Sequence, residues 1–91
     1  MSWDDRITTW RKEILKEMEH NEDLDINNYV CTLTEEELDI EFDAGYGDPN
    51  GLPFTLWTTW WVYFPISYDG WEYSGSVSRN PTKIPTKHQG G

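Results

Sequence analysis

The sequence predicts an α+β domain in which an N-terminal amphipathic helix packs on a four- to five-stranded antiparallel sheet, followed by a flexible C-terminal tail. Apolar residues recur at helical spacing in the first twenty positions, and they alternate with polar residues from residue 27 onward. Asp69 and Gly70 form a hairpin signal in the aromatic-rich second half. The 91 residues suffice for one small core. We therefore expect a single domain over 1–79 and a tail over 80–91.

The first predicted element is the helix. Five large apolar residues follow one another at steps of four, three, four and four positions, which places them on one helical face. They are Trp3, Ile7, Trp10, Ile14 and Met18. We expect this helix to end near His20 and to pack on the sheet through that face.

The next two elements read as strands. Tyr29, Cys31 and Leu33 share one parity, which predicts a strand over 27–33. After a polar turn, apolar residues alternate with carboxylates over 37–43, the pattern of a strand with one face buried. Its outward positions are Glu37, Asp39, Glu41 and Asp43.

The aromatic half follows a loop that is predicted over 44–53 from its three glycines and two prolines. Nine aromatic residues lie between positions 54 and 73. They indicate strands over 54–58 and 61–67 with a bend at Thr59 and Trp60, although one long strand over 54–64 fits the same pattern.

A return strand over 71–77 should pair antiparallel with the strand before the hairpin signal. Pro65 then belongs at a bulge or on a sheet edge, because proline donates no backbone hydrogen bond.

Charge gives the strongest functional signal. The formal net charge is −10, and residues 21–50 contain ten carboxylates without a single Lys or Arg. Such a surface attracts a positively charged partner and repels nucleic acid, so direct nucleic-acid binding is not expected. We expect a basic protein partner, such as a nuclease or another nucleic-acid-binding protein.

The predicted strand over 37–43 suggests how that partner is bound. Alternate residues on one strand face lie about 6.6–6.8 Å apart, close to the rise of every second phosphate on one DNA strand, at about 3.4 Å each. A carboxylate row of this kind would act as a phosphate surrogate. The candidate partner-binding residues are Glu37, Asp39, Glu41, Asp43, Glu35, Glu36, Asp48, Trp60 and Trp61.

The two tryptophans belong to that set because one helix and one sheet cannot bury the aromatic side chains on both faces of the predicted strands. One of them should be exposed and anchor an interface. In size and charge the chain resembles, at class level, small phage-encoded inhibitors of restriction, uracil excision or CRISPR nucleases, and no motif of any such family is present. The resemblance implies a nucleic-acid mimic that inhibits a defence nuclease.

Four other interpretations remain open. The acidic face could serve only solubility and edge protection. The chain could be an immunity protein against a toxin nuclease, a carbohydrate- or other ligand-binding module that uses surface tryptophan, or a structural virion subunit. The sequence leaves the oligomeric state undetermined.

Catalytic and metal-binding patterns are absent from the sequence. Cys31 has only His20 and His88 as potential bases, neither at a spacing that suggests a catalytic set. Asp23, Asp25 and Asn27 resemble the opening of a calcium loop, but the required later Gly and Glu are missing. No enzyme activity and no cofactor are expected. One cysteine, no signal peptide and no apolar stretch approaching about 20 residues predict a cytoplasmic protein without a membrane partner.

Overall fold

The computed structural model describes the backbone of residues 3–90 and the side chains from Asp5 onward. The predicted contribution of the Trp3 side chain and the last tail residue, Gly91, lie outside that range. The elements are a 3-10 turn (Trp3–Arg6), β1 (Ile7–Thr8), α1 (Trp10–His20), β2 (Val30–Cys31), α2 (Glu35–Leu38), β3 (Phe42–Asp43), β4 (Leu56–Trp57), β5 (Trp61–Tyr68) and β6 (Trp71–Ser78). The predicted α+β class is confirmed.

The strands form two antiparallel sheets. β1 pairs with β3, and the larger sheet has the order β2-β4-β5-β6. β4 and β5 are separate strands with Thr59 and Trp60 at the bend, so the alternative of one long strand is wrong. β5 and β6 pair along their whole length up to Tyr68 and Trp71, which confirms the hairpin at Asp69 and Gly70.

Helix α1 begins at Trp10, so the prediction that the helix extends back to Trp3 is wrong. Thr9 has an extended backbone and its hydroxyl accepts a hydrogen bond from the Lys12 amide, which caps the helix at this position. The preceding residues pair with β3 instead. The predicted end at His20 is confirmed.

The core forms where α1 meets the sheets. Trp10 packs between Phe42 and Phe54, with ring centroids 4.8 and 4.7 Å away. Its indole N–H donates to the Leu52 carbonyl at 2.8 Å, which satisfies the one polar atom of a ring that is 2 % exposed. The buried apolar set is Trp10, Ile14, Met18, Leu38, Phe42, Ala44, Phe54, Leu56 and Tyr63.

Two predicted strands are shorter in the structure. The strand over 27–33 reduces to Val30–Cys31, paired with β4, and the strand over 54–58 reduces to Leu56–Trp57. β4 pairs with β5 only at Val62 and Tyr63. Pro65 therefore has no strand on that side, in agreement with its predicted edge position.

The segment after β6 contains no helix or strand through residue 90. Arg79 fixes its start, because its amide donates to the Trp60 carbonyl and its guanidinium to the Thr58 carbonyl. The flexibility of the tail stays a prediction. Within residues 3–90, no helix has the length and apolar character needed to cross a bilayer.

Candidate partner-binding site

The acidic segment that follows β2 is not a strand. Thr34 accepts a hydrogen bond from the Glu37 amide at 3.1 Å, and the Glu37 carboxylate accepts one from the Thr34 amide at 2.9 Å. This reciprocal pair is a capping box, and it starts the helical turn α2. The prediction of a four-carboxylate row on one strand face is therefore wrong, since only Asp43 of that row lies in a strand.

Arg11 of α1 forms ion pairs with two of the predicted site residues. Its guanidinium contacts Asp39 and Glu35, each at 2.6 Å. Hydrogen bonds from the Tyr29 hydroxyl and from Arg11 lower the pKa of Glu35, and the two carboxylates raise the pKa of Arg11. These carboxylates tie α2 to α1, and because one guanidinium serves both, the group keeps one net negative charge on side chains that are 68 % and 59 % exposed.

Arg6 holds a third carboxylate of the set. It makes a two-point contact with Asp43, whose Oδ1 also accepts from the Gly45 amide at 3.0 Å. The Asp43 side chain is 12 % exposed. The bonds from Arg6 lower the pKa of this carboxyl. Asp43 consequently fixes β3 and the next turn, which removes it from a contact surface.

Three predicted carboxylates do remain on the surface. Glu36, Glu41 and Asp48 are exposed, and within residues 3–90 none of them has a side-chain hydrogen bond or an ion pair. Glu37 is half-buried, and its carboxylate accepts the hydrogen bond from the Thr34 amide in the capping box. The exposed carboxylates of this region therefore lie on a helical turn and two separate loops.

A cavity of about 220 Å³ lies between α2 and the loop over 50–52. Trp10 and Phe42 contribute apolar surface from the core, Ile40 and Leu52 are half-exposed, and Glu37, Glu41, Asn50 and Gly51 complete the lining. The Thr-x-x-Glu sequence that starts α2 could have revealed that this segment is a helical turn, because it is a helix-start signature.

The exposed tryptophan predicted from the sequence is Trp60. It lies at the bend between β4 and β5 with 65 % of its surface exposed. Trp61 is partly buried against the core. The two neighbours therefore differ, and Trp60 is the one of the pair whose ring is exposed to a partner.

Sequence analysis did not predict the uncharged outer face of the large sheet. Part of this face lies against the tail, because a Cβ added at Gly90 would lie 3.4 Å from Cγ2 of Ile66. Directly paired residues of antiparallel strands lie on the same face, and α1 covers the face that bears Tyr63 and Ser76. Every residue on the opposite face is uncharged. They are Val30, Trp57, Val62, Phe64, Ile66, Tyr68, Trp71, Tyr73, Gly75 and Val77.

The residues that the sequence offered as candidates for chemistry have structural contacts. Cys31 is half-buried, its sulfur accepts from the Leu33 amide, and burial raises the pKa of its thiol. Asp23 and Asp25 bind the β4–β5 bend through Thr58, Thr59 and Tyr63. Among the described residues no three His, Cys, Asp or Glu side chains are arranged to hold a metal ion.

Comparison with protein-family models, with curated proteins and with solved structures found no match to this chain.

Proposed function

We propose that this chain is an acidic protein-binding domain that occupies the basic surface of a nucleic-acid-handling protein and thereby inhibits it. The observation that supports the proposal is the exposure of three carboxylates, Glu36, Glu41 and Asp48, for which the described part of the chain supplies no positive partner. A basic protein would supply the missing charge.

The charge balance supports a cationic partner in particular. Ion pairs within residues 3–90 engage Arg6, Arg11 and Lys16, and they leave the formal net charge at −10. A field of this strength accelerates encounter with a positively charged surface and weakens as salt is added.

The proposed inhibitor would not reproduce a row of DNA phosphates. The exposed carboxylates lie on a helical turn and two loops, so they would compete for the partner's positive charges without reproducing the spacing of a DNA strand. Trp60, at the bend of the sheet, is a candidate anchor, because aromatic residues frequently dominate interface energies.

The test measures cleavage by a panel of nucleases in the presence of the purified chain, at increasing salt. The panel contains a restriction nuclease, a uracil-excising glycosylase, a CRISPR nuclease and a toxin nuclease. We expect inhibition of at least one, with weaker inhibition as salt rises. Inhibition that does not respond to salt contradicts the electrostatic mechanism, and no inhibition across the panel removes support for the nuclease class.

A matched pair of variants separates the carboxylates around α2 from net charge. Glu36→Gln/Glu41→Gln removes two exposed carboxylates in and beside α2, and Glu19→Gln/Glu22→Gln removes two exposed carboxylates at the end of α1. Both double variants change the net charge equally. The proposal predicts a larger loss of inhibition for the first double variant, and equal losses would assign the effect to overall charge.

The uncharged outer sheet face supports a second candidate function, a structural subunit that associates with its own copies. Two molecules of net charge −10 repel each other, and this face lets them meet without opposing carboxylates. Sedimentation at micromolar concentration tests it. A dimer lost on Val62→Lys and retained on Glu36→Lys supports the candidate, and a monomer throughout rejects it.

A further inference from the structure

The cavity beside α2 is built from apolar walls with negative charge at its lining. Ile40 is 50 % and Leu52 41 % exposed, and both line the cavity together with buried Trp10. Glu37 and Glu41 belong to the same lining.

The two carboxylates have unused hydrogen-bonding capacity. Only Oε1 of Glu37 accepts a bond, from the Thr34 amide, and Glu41 has no partner within residues 3–90. Arg6 and Arg11 are engaged by Asp43, Glu35 and Asp39, which do not line the cavity. No basic side chain belongs to the lining, so its two glutamates can pair with a basic group of another molecule.

The cavity is preformed. The Glu72 carboxylate accepts bonds from the amides of Asn50 and Gly51 at 2.7 and 2.9 Å, which fixes one wall. A side chain added at Gly51 would place its Cβ 2.7 Å from the Trp10 ring, so this loop lies directly on the core. A rigid site avoids the ordering cost of binding.

We propose that this cavity receives one arginine or lysine side chain of the basic protein partner. The inference rests on the proposed function and names the group of the partner that enters the cavity. Arginine and lysine bury their alkyl stems against apolar surface while the charged head stays near water or a carboxylate. The volume of about 220 Å³ fits one side chain and lies below the roughly 300–1,000 Å³ of small-molecule sites.

The test titrates the isotopically labelled full chain with a hexa-arginine peptide at low salt and follows backbone amide and indole resonances. The reporter is the Trp10 indole N–H, because it donates to the carbonyl of Leu52, which lines the cavity. N-acetyl-arginine methylamide, a single residue without neighbouring charges, is titrated in parallel. We expect both probes to shift the Trp10 indole and the amides of Ile40 and Leu52.

Two variants and one control define the result. Glu41→Gln should weaken peptide binding about three- to tenfold, which corresponds to about 0.7–1.4 kcal/mol. Leu52→Ser should weaken it without any change of charge. Glu36→Gln alters an exposed carboxylate outside the lining and should have the smaller effect.

The outcomes separate the cavity from the broader proposal. Peptide binding that leaves the Trp10 indole unmoved, with equal losses for Glu41→Gln and Glu36→Gln, overturns the cavity site and leaves the acidic binding domain standing. No peptide binding at low salt overturns the cavity site and also contradicts attraction to a basic partner.

Discussion

Two groups of carboxylates in this chain are chemically alike and have opposite environments. Beneath the large sheet, Asp23 and Glu72 are 8 % and 6 % exposed, and their oxygens accept bonds from hydroxyls and backbone amides. Around α2, Glu36, Glu41 and Asp48 are exposed and have no side-chain partner in the described part of the chain. The first group holds the fold, and the second is available for binding.

The comparison shows why a count of charges cannot locate a binding surface. Each carboxylate of either group contributes the same single charge to the net charge of −10. Burying a carboxylate is costly unless donors surround it, so Asp23 and Glu72 must be served by neighbours that the fold supplies. An exposed carboxylate needs no such partners and can meet an external one.

The largest expected effect is the loss of Asp23. Its Oδ2 accepts bonds from the Thr58 hydroxyl and the buried Tyr63 hydroxyl, both at 2.7 Å. Asp23→Ala leaves two buried donors without a partner, so we expect a loss of about 3 kcal/mol in the free energy of unfolding. Urea denaturation measures it.

Asp48→Ala is the matched control for that prediction, because it removes a carboxylate of the exposed group. Its unfolding free energy should change by less than about 0.5 kcal/mol. Equal changes in the two variants would abolish the distinction between buried and exposed carboxylates.

Glu72→Ala is expected to have the next largest effect. It removes the acceptor for the amides of Asn50 and Gly51 and frees the loop that forms one wall of the cavity. We expect about 2 kcal/mol of destabilisation, together with broadened or shifted amide resonances over 50–52. Unchanged loop resonances would show that other contacts hold the wall.

Long periodic segments of the sequence predicted the architecture well. The stripe from Trp10 to Met18 gave the helix face that enters the core, and the hairpin signal at Asp69 and Gly70 gave the longest strand pair. In both cases a local pattern and tertiary packing favour the same structure.

The candidate site was harder to predict because short-range hydrogen bonds override alternation there. The alternating pattern over 37–43 predicts a strand, but the capping box between Thr34 and Glu37 starts a helical turn just before it. The ion pairs of Arg6 and Arg11 join residues 37 and 24–28 positions apart, and no local pattern reveals such partners. The outer sheet face likewise depends on strand register.

Asp43 is intermediate between the two groups, because it is partly buried and paired with Arg6. Its contribution to stability should be smaller and should depend on pH. Its pKa in the folded state is lowered by Arg6, below the value of about 3.9 for an unfolded chain. The folded state therefore gains stability from the ionised carboxylate above pH 4, and this gain is lost as the pH falls through the folded pKa.

Asp43→Asn should accordingly lower the melting temperature at pH 7, by less than Glu72→Ala does. The difference from the parent chain should stay constant between about pH 7 and 5 and shrink below about pH 4. Thermal unfolding across that range measures it, with Asp48→Asn as the variant whose carboxylate has no partner. A difference that grows on acidification would contradict the ion pair with Arg6.

The smallest effect on stability is expected for Glu41→Gln, and it sharpens the comparison most. Glu41 has no internal partner among residues 3–90, so its replacement should change the unfolding free energy by less than about 0.5 kcal/mol. The same substitution should still weaken hexa-arginine binding more than Glu36→Gln does. A residue that is neutral for folding and important for binding belongs to an interface, whereas a loss of stability comparable to that of Asp23→Ala would place Glu41 among the carboxylates that hold the fold.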